Sequence, residues 1–364
     1  MKLAILGSRG IPNLYGGFEQ FASHLSKALV HRNYDVWVYC SHKHPFKESK
    51  WEGVNLIHCF DPEFLLGQAG QYIYDLNCIL DSRHRHFDLI LQLGYTSNSI
   101  WHWLLPKKPS IITNMDGLEW KRSKYSTLVQ KVLRYSEKLA VLSSDVLVAD
   151  SPVIRDYIQS TYGKKAVYIP YGADCVLTTN PQLLDDLGLN PKAYYLLIAR
   201  LQPDNHIEEI INGVLFSESS FPLVIVGNVR TNYGRYLKKK YQHDTIHFVG
   251  AEFNQDRLAA LRYYCAAYFH GHSAGGTNPS LLEAMAAAAP IYAHKNAFNQ
   301  AVCEQDAVYF ETSEELCNHL KNNTNPNFWT DKITSNLNKI RHIYSWDSIF
   351  EQYQKVFKDA LRLP

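Results

Sequence analysis

Paired cysteines are absent: the seven cysteines are scattered, odd in number and contain no C-x-x-C. They read as buried free thiols of a reducing compartment rather than as a disulfide framework or a metal knuckle. No apolar window approaches the length of a bilayer span, and the apolar run Leu3–Leu6 is too short for a signal peptide. The expectation is a cytoplasmic protein, attached at most to the inner face of the membrane. An excess of one charge is also missing, with 37 basic and 35 acidic residues, so nucleic acid is not an obvious partner. The chain has no solenoid repeat, no G-x-G-x-x-G and no Walker lysine loop. Those absences set aside repeat folds, the dinucleotide fingerprint and P-loop chemistry.

What is abundant is aromatic surface, with 24 tyrosines and 7 tryptophans, suited to stacking on sugars or to an aromatic core. A length of 364 residues favours two domains. Short apolar runs alternate with amphipathic stretches throughout. Strands are expected at 3–6, 36–39, 54–58, 89–91, 111–114, 146–148 and 167–169, with helices at 18–31, 70–83 and 126–142 between them. The alternation restarts with strands at 194–198, 223–226, 246–249, 267–270 and 291–293. Such a pattern means α/β architecture with parallel sheets covered on both faces. The reading is two doubly wound Rossmann-like domains, 1–174 and 175–343, with a terminal helical segment 344–364 that either packs back on the first domain or stays with the second. Two such domains in tandem would place their ligand loops on either side of one cleft.

The densest signal is Gly271-His-Ser-Ala-Gly-Gly-Thr-Asn-Pro-Ser-Leu-Leu-Glu-Ala-Met285. Asn278 can cap a helix and Pro279 fits its first position. Gly275, Gly276 and Thr277 precede that start, so backbone amides and the helix dipole are available to an anion. Glu283 lies about one turn into the helix. The alternative is a plain glycine loop joining a strand to a core helix. A second glycine pair, Gly16-Gly17 with Glu19, follows the first strand in the other half and also opens a helix.

Arg200 comes directly after the first strand of the second half, where a guanidinium can hold phosphate oxygens or pair with Asp204 or Glu208. Asp116 follows another strand and suits either contact with a reacting group or an Asp-Gly turn. His42, His44, His84 and His86 read as solvated, because no carboxylate or cysteine set completes a metal site around them. Lys124, Lys131, Arg134 and Lys138 fall on one flank of a helix beside Leu128, Val132, Tyr135 and Leu139. That basic 121–138 segment either packs on the core with a solvated edge or rests on anionic lipid headgroups.

Together these pieces resemble the family-4 retaining glycosyltransferases of GT-B architecture, over nearly the whole chain. The strings "GSRGIPNLYGGFEQF", "MDGLEWKRSKY" and "GHSAGGTNPSLLEAM" are similar to a subgroup of bacterial rhamnosyltransferases of capsule and cell-wall polysaccharide pathways. The resemblance implies that the amides around Gly16-Gly17 and Gly276-Thr277, together with Arg200, hold a donor diphosphate. It implies that Glu283 binds the ribose and that Asp116 lies near the reacting sugar carbon. Glu19, Asn205, His272, Gly275 and Asn278 fall within the same motifs and are expected among the substrate contacts. Two positions depart from the family pattern. Gly275 stands where the family has the first of two glutamates, and Asn205 stands where it has a lysine five residues after the arginine.

The implied reaction is transfer of a sugar, L-rhamnose from dTDP-L-rhamnose, to a saccharide hydroxyl with retention. No metal site and no cofactor beyond the donor are expected, since the chain has no Asp-x-Asp. The partners implied are a nucleoside diphosphate sugar and a saccharide acceptor, with a lipid-linked acceptor and peripheral membrane contact through the basic 121–138 helix as one form of it. Three rivals stay open: a family-4 transferase using another nucleotide sugar, a sugar-nucleotide epimerase or hydrolase, and a non-catalytic binding subunit.

Overall fold

The computed structural model describes residues 1–14, 16–122, 124–322 and 327–362. The chain forms two compact units. The first holds Met1–Lys121, Tyr125–Tyr171 and Trp346–Pro364; the second holds Arg122–Lys124 and Gly172–Ser345.

The first unit contains β1 (Lys2–Leu6), β2 (Asp35–Ser41), β3 (Lys50–Trp51), β4 (Val54–Cys59), β5 (Leu89–Leu93), β6 (Ser110–Asn114), β7 (Val146–Ala149) and β8 (Ala166–Tyr168). They form one sheet in the order β3-β4-β2-β1-β5-β6-β7-β8. Every pairing is parallel except β3 with β4. The short antiparallel strand β3 escapes sequence reading because two residues carry no alternation. Strands β1 and β5 are apolar on both faces and buried, as helices on both sides of a parallel sheet require.

The second unit contains β9 (Tyr195–Ile198), β10 (Leu223–Val226), β11 (Ile246–Gly250), β12 (Ala267–His270), β13 (Ile291–His294) and β14 (Val308–Phe310). Their order is β11-β10-β9-β12-β13-β14, parallel throughout. Leu197, Ile210, Ile211, Leu223, Ile225, Phe269 and Phe310 fill its main core. The three-residue β14 likewise is too short to show an alternation in sequence.

The terminal helix Trp346–Ala360 buries Trp346, Ile349, Phe350, Tyr353, Val356 and Phe357, a spacing of three and four that lines one helical face. That face belongs to the first unit. Tyr353 packs its ring 5.1 Å from Phe21 and accepts a 3.1 Å hydrogen bond from Asn114 Nδ2. Trp346 stacks on His24 at 4.5 Å.

Three sequence expectations need correction. The apolar stripe of helix Thr127–Ser143 is not its packed face: Leu128, Val132 and Tyr135 are 73%, 43% and 60% exposed, while Leu139 is buried. The packed face is Leu133, Ser136, Glu137, Ala140 and Val141. Glu137 is the reason, because a charged residue at the centre of a buried face looks polar in sequence. Its carboxylate is satisfied by the Tyr157 and Tyr162 hydroxyls at 2.8 and 2.7 Å and by Trp120 Nε1 at 3.0 Å. His44 is buried rather than solvated, with Nε2 3.1 Å from the Pro12 carbonyl. Six cysteines are buried free thiols, but Cys175 is half-buried. Among the described residues, no helix is long and apolar enough to cross a membrane.

Candidate functional site

The second sheet grows outward from β9 in both directions, so β9 and β12 flank the point where strand order reverses. In a parallel sheet the loops leaving the carboxyl ends of two such strands diverge and open a crevice. Arg200 leaves β9 there, and Gly271–Asn278 leaves β12.

These two loops are locked together. A Cβ on Gly271 would run into the Asn205 carbonyl, so the close approach needs glycine. Ser273 donates from both its amide and its hydroxyl to the Asp204 carbonyl, at 3.1 and 3.0 Å. Asn205 Nδ2 donates to the Arg200 carbonyl at 2.6 Å, which fixes the orientation of the amide. Asn205 Oδ1 therefore faces His272 Nδ1 at 2.9 Å, and the imidazole carries its proton on Nδ1. Asn296 and Asn299 donate to the His272 carbonyl at 3.1 and 3.0 Å. Burial holds His272 well below its ordinary pKa, and His270, Arg122 and Arg200 lower it further, so the ring is neutral.

Gly275 has φ 140°, and a Cβ there would lie 2.9 Å from His272 Nε2 and 3.8 Å from Arg122 Nη2. A side chain at this position, a glutamate included, would be strained and crowded. The helix Pro279–Ala286 begins where the Asn-Pro pair predicts, with Asn278 accepting from the Ser280 amide at 2.9 Å and Pro279 at the first position. Thr277 is buried, and Gly276 is half-buried beside it.

Arg200 is exposed and, among the described residues, forms no ion pair. Glu208, one alternative partner, is taken by Lys240 and by the hydroxyls of Tyr241 at 3.0 Å, Tyr236 at 3.2 Å and Tyr233 at 3.3 Å. Glu283 has a partner that the sequence did not announce: Arg262 Nη2 lies 2.5 Å from its carboxylate. Arg262 is buried, so this pair anchors the helix Pro279–Ala286 to the helix Gln255–Tyr264.

In the first unit the strand order reverses between β1 and β5. Gly16 is the N-cap of the helix Gly17–Val30 and makes no side-chain cap, which leaves first-turn amides to other partners. Tyr15 lies outside the described residues. Glu19 turns inward and accepts the Arg9 amide at 2.8 Å, so it shapes the loop after β1. Asp116 follows β6 with φ 47°, and its amide donates to Asn114 Oδ1 at 3.0 Å. Asp116, Asp150 and Glu19 all act on the buried Tyr171 hydroxyl, whose pKa burial and these carboxylates push well up.

Thus Arg200, Asn205, His272, Gly275, Gly276, Thr277, Asn278 and Glu283 gather in the second unit. Gly16, Gly17, Glu19 and Asp116 belong to the first. Sequence reasoning missed Arg122, Asn296, Asn299 and Glu137. Only Asn296 carried a local signal, as an Asn capping the helix Ala297–Cys303. Among the described residues, no cluster of His, Cys, Asp and Glu has the grouping of a metal site.

Residues 1–174 match the family described as "Domain of unknown function (DUF1972)". No curated protein matches the chain by sequence. The structure is similar to sucrose-phosphate synthase from Thermosynechococcus elongatus, with a TM-score of 0.83 and 14% identity over 98% of each chain. It is similar to Anabaena HepE in complex with UDP and glucose, with a TM-score of 0.77 and 17% identity over 98% of this chain and 99% of that one. The catalytic domain of starch synthase IV from Arabidopsis thaliana, bound to ADP and acarbose, gives a TM-score of 0.71 and 14% identity over 100% and 99% of the two chains. These are GT-B glycosyltransferase structures, and the fold expected from the sequence is the fold they share with this chain.

Proposed function

We propose that this chain is a retaining glycosyltransferase that moves L-rhamnose from dTDP-L-rhamnose to a saccharide hydroxyl during assembly of a bacterial surface polysaccharide. One observation carries the donor part of that reading: Arg200 stands on a loop that Asn205 bonds to His272, at the strand reversal of the second sheet and just before a capped helix start. A mobile loop would lose much of its electrostatic effect to reorganisation; this one is fixed before any ligand arrives. Several structures of the same fold were solved with UDP, UDP-glucose or ADP, which agrees with a nucleoside diphosphate here.

In this reading the bond between the sugar carbon and the diphosphate breaks, and a bond from the acceptor oxygen to that carbon forms on the same face. The acceptor proton passes to the departing phosphate oxygen. Arg200 and the amides of Gly276 and Thr277 take up the negative charge, the part that a bound cation plays in other phosphate chemistry. Asp116, in the first unit, is assigned to the reacting sugar. Rhamnose itself rests on the three sequence strings given above.

The acceptor is proposed to be lipid-linked, with the exposed face of the helix Thr127–Ser143 resting on anionic headgroups. Leu128, Val132 and Tyr135 lie open to solvent beside Lys131, Arg134 and Lys138, which are also exposed. Apolar side chains that the fold does not bury, flanked by cations, suit a negatively charged membrane surface.

A thermal-shift screen tests the donor. Ligands that bind the folded state raise the melting temperature according to affinity. dTDP-L-rhamnose should give the largest shift among dTDP-, UDP- and GDP-sugars. A preference for UDP-glucose would remove rhamnose and keep the transferase reading, whereas no shift with any nucleotide would remove both.

A further inference from the structure

Asn205 stands five residues after Arg200, where the resemblance to the glycosyltransferase family implies a lysine, so on the nucleotide reading one positive charge is missing beside Arg200. The structure holds another arginine close by. Arg122 groups with the second unit, and only 7% of its surface is exposed. Its Nη2 lies 3.8 Å from where a Cβ on Gly275 would be, and His272 Nε2 lies 2.9 Å from the same point. Glycine at 275 therefore lets the backbone pass close against an imidazole and a guanidinium, in the loop that precedes the helix Pro279–Ala286. On the other side of His272, Asn205 ties the ring to the backbone of Arg200. Both Arg122 and Arg200 act electrostatically on the His272 ring, so the two guanidiniums converge on one short loop. Near it His270 Nε2, in a residue only 4% exposed, has no hydrogen-bond partner among the described residues, and the two rings are 6.1 Å apart.

We infer that Arg122 is a second diphosphate-binding residue, acting with Arg200 on the phosphates of the donor at the loop Gly271–Asn278. A diphosphate carries more than one negative charge and presents several oxygens, which two planar guanidiniums can hold where one cannot. Gly275 and Arg122 are then two halves of one feature, since a side chain at 275 would crowd the His272 ring and come within van der Waals contact of the guanidinium. This inference rests on the nucleotide reading of the site.

Calorimetric titration of the full chain distinguishes the two. Wild type, Arg122→Ala and Arg122→Lys are each titrated with dTDP, UDP, thymidine and uridine. The expected result is a loss of about tenfold or more in nucleoside diphosphate affinity for Arg122→Ala, with nucleoside affinity unchanged. Arg122→Lys should recover part of the loss, because it keeps the charge and loses the fork. Diphosphate affinity within twofold of wild type, or an equal loss for nucleoside and diphosphate, would overturn the role of Arg122 and leave the nucleotide site standing. Absence of diphosphate binding by wild type would overturn the nucleotide reading, and this inference with it. If Arg122→Ala does not fold, the comparison of diphosphate with nucleoside on Arg122→Lys decides the matter by the same criteria.

Discussion

Glu283 shows how a residue can be placed by sequence and still carry a second load. Its position one turn after Asn278 was legible from the cap and the helix period. Its ion pair with Arg262, at 2.5 Å, was not, because the two residues sit on different helices with no local pattern linking them. The pair changes what a substitution reports. Glu283→Ala leaves the guanidinium of a residue only 5% exposed without its carboxylate, in a site where Arg262 Nε has no hydrogen-bond partner among the described residues. Removing one partner of a buried pair typically costs about 3–5 kcal/mol, and partial exposure of Glu283 places this case near about 2–3 kcal/mol. Urea denaturation of Glu283→Ala should show that loss, and unchanged stability would mean the pair contributes nothing. Arg200→Ala behaves differently, since the side chain is exposed. It should lower nucleoside diphosphate affinity about tenfold or more while leaving the denaturation midpoint in place, and an unaltered affinity would remove Arg200 from the site. Arg122 was invisible at this scale, because its neighbours Gly275 and His272 are remote in sequence.

Among the elements, strands were the most legible and the two shortest ones the least. Continuous runs such as Leu3–Leu6 and Leu223–Val226 can only be buried strands of a covered sheet, whereas Lys50–Trp51 and Val308–Phe310 depend on neighbours for their existence. The helix Thr127–Ser143 was found with nearly its true ends, but its orientation was not. Four aromatic donors, Tyr95, Trp120, Tyr157 and Tyr162, hold Glu137 inside, and turning that face inward rotates Leu128, Val132 and Tyr135 out to solvent. The exposed face supports a direct test. Wild-type protein should float with vesicles containing phosphatidylglycerol but not with purely zwitterionic ones, and less so at high salt. A Leu128→Glu, Val132→Glu double variant should stay unbound with an unchanged melting temperature, because neither side chain is packed. Equal flotation of the variant would reject the membrane contact.

For the molecule as a whole, fold class was legible because two alternations of strand and helix repeat along the chain, while long-range charge placement was not. Buried titratable groups give the two units opposite responses to pH. In the second unit, burial lowers His270 to about 3 and His294 to about 4, and holds His272 well below its ordinary value. Unfolded histidine titrates near about 6.5, so below that pH the unfolded chain takes up protons that the folded unit refuses. Stability of this unit should therefore fall as pH drops from about 6.5 toward 4, by roughly 2 kcal/mol at pH 5 from His270 alone. In the first unit, burial raises Asp75 to about 7, with its hydroxyl partner Ser97 opposing. There the folded state keeps a proton that the unfolded state releases above about 4, so this contribution weakens as pH rises from about 4 through 7. Scanning calorimetry at pH 5 and pH 7 should move the second unit's transition down in acid, and His270→Phe should reduce that movement. A transition that does not depend on pH would show that these histidines are protonated in the folded state.

The helix Trp346–Ala360, which joins the first unit through Phe21, His24 and Asn114, has a temporal consequence. A ribosome delivers Met1–Tyr171 early but releases this helix only after all of Gly172–Ser345. The unit begun first is finished last: during synthesis its β1–β8 sheet waits with the surface around Phe21 uncovered while the later unit is already complete. Nascent chains arrested before Trp346 should accordingly be cut by protease within residues 1–171 and protected within the second unit.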